Sequence, residues 1–183
     1  MTKNSIGLIE LTSIAAGFEV GDAMLKAAEV EMLLSRSICS GKYIVLIGGD
    51  VAAVRSSVDA GVIAGKGCVI DTFVIPNVHA SVFPALAGAA QVENYDALGI
   101  IESFSVASLI EGADAAVKAS RVELIEIRLA MALGGKAFCT LTGDVAAVRA
   151  AVDAGAAAVA EKGLLVNKVI IPQPRKELLK EVV

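Results

Sequence analysis

The sequence predicts an α+β fold written twice: two tandem sandwiches, each an antiparallel sheet with its helices on one face. Three observations predict it. The segment Gly49–Gly61 returns as Gly143–Gly155 with only Ser56 and Ser57 changed, both to Ala. Ile6-Gly7-Leu8-Ile9-Glu10 is echoed by Leu98-Gly99-Ile100-Ile101-Glu102, and Asp22-Ala23-Met24-Leu25-Lys26-Ala27 by Asp114-Ala115-Ala116-Val117-Lys118-Ala119. Within each copy, short strand-like runs alternate with stretches of helical period. Self-similarity at a fixed offset is the mark of a duplicated unit. The offset grows from 92 at Gly7/Gly99 to 94 at Gly49/Gly143 and 96 at Pro76/Pro172. Two short insertions therefore distinguish the halves, one between Val122 and Gly135 and one between Gly155 and Gly163, both expected in loops. The first domain is placed over 1–90 and the second over 96–183, joined through about Gly88 to Asp96.

Each half reads as strand, helix, two strands, helix, strand and short helix. Ile6–Leu11 is the opening strand, and Thr12 or Ser13 offers an N-cap to the first helix. On that helix Ile14, Gly17, Phe18, Gly21, Leu25 and Ala28 share a face, and Val106, Leu109, Ile110, Ala113, Val117 and Ser120 repeat the spacing. Glu29–Ile38 and Lys42–Ile47 form a hairpin turned at Cys39-Ser40-Gly41. Asp50 caps a second helix with Val51, Val54 and Val58 inward, and Arg55 lies four residues before Asp59 on its outer face. Val69–Ile75 is the last strand, and Pro76 ends it.

Composition excludes several classes of function. The chain is 56% hydrophobic but 4% aromatic with no Trp, so its core is built from Ala, Val, Ile and Leu. Charged residues make up 20% and the net charge is −4, which leaves no basic footprint for nucleic acid or an anionic membrane. Mean hydropathy is high at +0.71, yet no stretch reaches the ~20 apolar residues of a membrane span. The apolar excess is expected to meet other protein. No secretory segment follows Met1-Thr2-Lys3-Asn4-Ser5, so the chain is expected to stay in the cytoplasm. Cys39, Cys68 and Cys139 are odd in number and show no CxxC spacing, so neither a disulfide framework nor a single-chain zinc site is indicated.

These motifs resemble the bacterial microcompartment (BMC) shell domain over both halves, from Ile6 to Pro174. The opening strand, the Asp22–Ala28 segment, the Gly-Asp-Val-x-Ala-Val start at Gly49 and Gly143, and the turns Pro76-Asn77-Val78-His79 and Pro172-Gln173-Pro174-Arg175 carry the resemblance. It implies a structural shell protein rather than an enzyme. Tandem members form trimers that look like hexamers, each chain supplying two of six positions, in a layer with other shell proteins. The turn Ser37-Ile38-Cys39-Ser40-Gly41 takes the place of the family's pore loop, with Cys39 where glycine is usual. With Thr12-Ser13 and the Pro-Asn-x-His-Ala-Ser turn, this is similar to the tandem, T-type shell proteins of propanediol-utilisation compartments.

That resemblance implies a [4Fe–4S] cluster, one per trimer, on the threefold axis and ligated by Cys39 of each chain. Such clusters take thiolates, usually four, so three copies and one other ligand would complete the set. Electron transfer across the shell, cluster delivery and pore closure are the uses left open, and an encapsulated redox enzyme would be a partner for the first. The blander reading makes Cys39 a small residue narrowing the pore, or an oxidisable thiol. Ser37, Ile38, Ser40 and Gly41 are the remaining pore candidates. Cys68 and Cys139 read as buried structural thiols. Lys26, Lys118, Asn77, His79 and Arg175 are expected at the tile edge, where the family packs its lysine beside an antiparallel mate. Asn77 and Gln173 replace a frequent arginine there. His79 has no Ser, Cys or carboxylate constellation to make it a catalytic base, and neither Gly48-Gly49-Asp50 nor Gly134-Gly135 completes a phosphate-binding motif. The apolar turn Leu129–Gly135 could fold over the axis. A cofactor-free tile with an open metabolite pore, and an independent small-molecule sensor, are the alternatives.

Overall fold

The computed structural model describes residues 4–92, 94–130 and 134–179. They form two compact units, divided between Val78 and His79. The first contains β1 (Ser5–Leu11), α1 (Ile14–Ala27), β2 (Glu31–Ile38), β3 (Lys42–Gly49), α2 (Val51–Gly65) and β4 (Val69–Pro76). The second begins with a short helix, α3 (Val82–Ala87), followed by β5 (Ala97–Ser103), α4 (Val106–Ala119), β6 (Glu123–Leu129), β7 (Ala137–Gly143), α5 (Val145–Glu161), β8 (Leu165–Pro172) and α6 (Lys176–Leu179).

Each unit holds a four-stranded antiparallel sheet, in the order β2-β3-β1-β4 and β6-β7-β5-β8. Every residue of the central strand β1 is buried, and so is every residue of β5 except Ile100 and Glu102. Register irregularities recur at matching places, Glu10/Leu11 and Glu102/Ser103. The predicted caps form twice over. Ser13 and Ser105 accept the N–H groups of Ala16 and Ser108, and Asp50 and Asp144 those of Ala53 and Ala147, satisfying donors that a helix start leaves over. In the first unit Ile9, Leu11, Val20, Met24, Tyr43, Val45, Ile47, Val54 and Val58 make the core.

Packing decides three features. The buried face of α1 is Gly17, Val20, Gly21 and Met24, whereas Ile14, Phe18 and Leu25 are exposed. A Cβ on Gly17 would come within 2.2 Å of the Tyr43 ring, so the helix turns its smallest surface inward and seats that ring. The α4 counterparts Val106, Ile110 and Val117 are buried, since α3 packs on β6 and α4. The insertion after Gly155 lengthens a helix rather than a loop: α5 has 17 residues against 15 in α2. Residues 79–90, read as the tail of the first domain, pack within the second unit.

Candidate functional site

The turn between β2 and β3 is a single 3-10 turn, Cys39–Gly41, closed by pairing of Ile38 with Lys42. Ser40 (φ 65°, ψ 25°) and Gly41 (φ 72°) both lie in the left-handed region, which glycine enters at no steric cost and serine only when its surroundings hold it there. Ser37, Ser40 and Gly41 are exposed, and Cys39 is half-buried at the tip. Ile38, also expected among the pore residues, is buried within the chain, and its side chain anchors the turn. At the base of the hairpin, Lys42 donates to the buried carboxylate of Glu10 at 2.8 Å, and Lys136 pairs with Glu102 at the same place in the repeat.

The other two cysteines sit in different surroundings. Cys139 is buried in β7 opposite Ile101, where desolvation pushes its thiol up to about 12. A thiol that resists ionisation is a poor metal ligand. Cys68 packs against the first unit's core, beside Val69. Within one chain, among the described residues, no three His, Cys, Asp or Glu side chains gather as a metal site. A cluster at Cys39 therefore needs ligands from further copies. A Cβ on Gly41 would meet nothing within 4 Å, so the outer side of the turn is open. In the second half, residues 131–133 of the apolar turn expected to cover the axis lie outside the described residues.

The edge candidates divide. Lys26 ends α1 and pairs with Asp22, one turn earlier and exposed; Lys118 ends α4 and pairs with Asp114 in the same way, but Asp114 is buried. Asp114 Oδ1 also accepts the backbone N–H of His79 at 2.8 Å. His79 and Lys118 thus meet through one carboxylate that the sequence reading passed over, although an Asp four residues before each Lys stood in both repeats. His79 Nδ1 lies 2.8 Å from Ser81 Oγ, a local turn contact with no catalytic geometry. Asn77 (φ 52°) and Gln173 (φ 49°) take the left-handed conformation directly after Pro76 and Pro172. Around these turns Val78 donates to Asn4 O, and Gln173 to Asp96 O. Arg175 is exposed. No described helix is long and apolar enough to cross a membrane.

Comparison with known proteins bears on both units. The BMC domain model matches residues 5–78 and again 97–174. The chain is 45% identical over 181 residues to the bacterial microcompartment shell protein PduT of Citrobacter freundii, covering 99% of this chain and 98% of that one. A crystal structure of a microcompartment protein from Desulfitobacterium hafniense superposes with a TM-score of 0.90 at 54% identity, covering 96% of this chain and 98% of that one. The shell protein EutM of Salmonella typhimurium matches over 83 residues at 46% identity, covering 45% of this chain and 84% of its own length.

Proposed function

Since the chain belongs to the BMC-domain family, as two complete domains in tandem, we propose that it is a structural tile of a bacterial microcompartment shell, assembled as a homotrimer with Cys39 of each copy at the central pore. The first part follows from the family and from a relative that is a shell protein over nearly the whole length. The trimer follows from arithmetic of symmetry: two domains per chain fill six equivalent places when three chains close a ring. The observation that supports the pore reading is the placement of a half-buried thiol in the β2–β3 turn, while Cys68, equally half-buried, packs against the first unit's core and Cys139 is buried in β7.

On this reading a [4Fe–4S] cluster would be held by Cys39 from three copies, with a water, a small molecule or a partner side chain on the fourth iron, and would supply one-electron chemistry at the shell. The chain's own contribution is positional. The Lys42–Glu10 pair and buried Ile38 fix the turn, and the left-handed Ser40 and Gly41 bend it so that residue 39 stands at its tip.

Anaerobic purification tests the proposal. Reconstituted wild type should be brown with about four irons per trimer, Cys39→Ser colourless, and Cys68→Ser and Cys139→Ser coloured like wild type. Iron retained by Cys39→Ser would place any cluster elsewhere. A colourless, iron-free wild-type trimer would instead leave an open pore lined by Ser37 and Ser40.

A further inference from the structure

The second unit holds a cavity of about 210 Å³ where three segments meet. The turn from α4 into β6 supplies Arg121 and Glu123, the end of β7 Thr142 and Gly143, and the segment leading into β5 Asn94 and Asp96. Thr142, 2% exposed, donates to Ala97 O at 2.7 Å and lies 3.4 Å from Asn94 O, which ties the segment before β5 to the end of β7. A Cβ on Gly143 would stand 3.2 Å from the carbonyl oxygen of Arg121, so the backbone that carries Arg121 is held against the same strand end.

The charged groups around this cavity are of both signs and are not paired with one another. Elsewhere in the unit lysines and arginines close on carboxylates at 2.5–2.7 Å. Among the described residues no ion pair or side-chain hydrogen bond engages Arg121, Asp96 or Glu123. An arginine and two carboxylates that line one cavity yet stand apart leave both signs of charge open to a molecule that bridges them. The repeat shows that the set is particular to the second unit. Asn4, Glu29 and Gly48 occupy the places of Asp96, Arg121 and Thr142, so the first unit brings no cation here. A Cβ on Gly48 would also stand 3.0 Å from Leu33 Cδ1, so a side chain at that place would be crowded.

We infer that this cavity binds a small zwitterion of the amino-acid class, its carboxylate on the Arg121 guanidinium and its ammonium on Asp96 and Glu123. Arginine presents a planar fork that matches a carboxylate, and an ammonium brings three donors that carboxylates accept. A simple anion would gain Arg121 but face two carboxylates, and a simple cation would gain the carboxylates but face Arg121. Only a ligand with both charges satisfies all three groups. Size narrows the class further. At about 210 Å³ the cavity is smaller than the ~300–1,000 Å³ of sites for drug-sized ligands, and Val122 is its one branched apolar wall, so the ligand's own side chain is short. The site lies within one unit and rests on neither the cluster nor the trimer.

The test is a titration of the full-length protein with L-alanine, followed by the NMR signals of the Arg121 side chain and the Gly143 amide. Propionate and ethylamine, which carry one charge each, are the comparison probes. L-alanine should shift both signals saturably at millimolar concentration, and each single-charge probe should bind about tenfold or more weakly, since it forgoes a charged hydrogen-bonded contact. Arg121→Gln and Asp96→Asn/Glu123→Gln, read at Gly143, should each weaken L-alanine binding about tenfold or more for the same reason. Arg55→Gln, at an exposed place on α2, should bind like wild type. Because Arg121, Asp96 and Glu123 are exposed, all variants should melt like wild type by circular dichroism. Propionate that binds as tightly as L-alanine would reduce the site to an anion contact and overturn the inference. The absence of any saturable shift with L-alanine overturns it as well.

Discussion

At the scale of single residues, burial decides what each cysteine does. Cys139 occupies the position of Val45 in the repeat, opposite Ile101 as Val45 is opposite Ile9. It behaves as the small apolar residue it replaces. An unfolded cysteine ionises near pH 8.5, whereas burial pushes the folded thiol up to about 12. The unfolded chain therefore releases this proton first as pH rises. The stability Cys139 contributes is complete below about pH 8.5 and is lost as pH climbs towards about 12. Urea midpoints measured between about pH 8 and about pH 11 should fall less steeply for Cys139→Ala than for wild type. Equal slopes would mean that the thiol is not held neutral. The β2–β3 turn was legible from Cys39-Ser40-Gly41, but the inward aim of Ile38 was not, because one residue's side of a turn depends on how the turn is bent.

Among the elements, the two helix pairs show how one motif packs in two ways. Gly61 and Gly155 are the same residue of the repeat. A Cβ on Gly155 would stand 2.6 Å from the backbone carbonyl oxygen of Gly112, and one on Gly61 would meet side-chain atoms, Ile9 Cδ1 at 2.5 Å and Met24 Cγ at 2.7 Å. Backbones that close cannot part without moving a whole helix, whereas a methionine chain can turn aside. Gly155→Ala should cost about 1–3 kcal/mol by overpacking, despite the ~1 kcal/mol that alanine brings to a helix interior. Gly61→Ala should cost less than Gly155→Ala. Urea denaturation of the two variants decides it, and a stabilised Gly155→Ala would show that α4 and α5 have room. The buried face of α2 was legible at Val54 and Val58, though Val51 at its start is only half-buried. The face of α1 was not, because Ile14, Phe18 and Leu25 are as apolar as the residues that are buried.

For the whole molecule, matching positions do not have matching surroundings. The Lys26 side chain is 74% exposed and that of Lys118 40%, and only Asp114 of their two partners also accepts a backbone N–H, that of His79. Both lysines lie in the last turns of their helices, and on the proposed reading they stand at the edge of the tile. Lys26→Ala/Lys118→Ala should leave the trimer intact and abolish extended sheets. Light scattering reads the first outcome and electron microscopy the second. Ordered sheets from the double variant would remove these lysines from the edge.

The duplication, the element order, the helix caps and the family are all carried by local residue pattern: Gly49–Gly61 against Gly143–Gly155, Ser13 and Asp50 before their helices, apolar runs of strand length. Such features depend on a few consecutive side chains and hold wherever that chain segment lies. Which apolar face of α1 is uncovered, why Asp22 and Asp114 differ, and that α3 packs within the second unit are written in no local pattern. They depend on which segment lies against which, and burial is a property of the neighbour as much as of the residue.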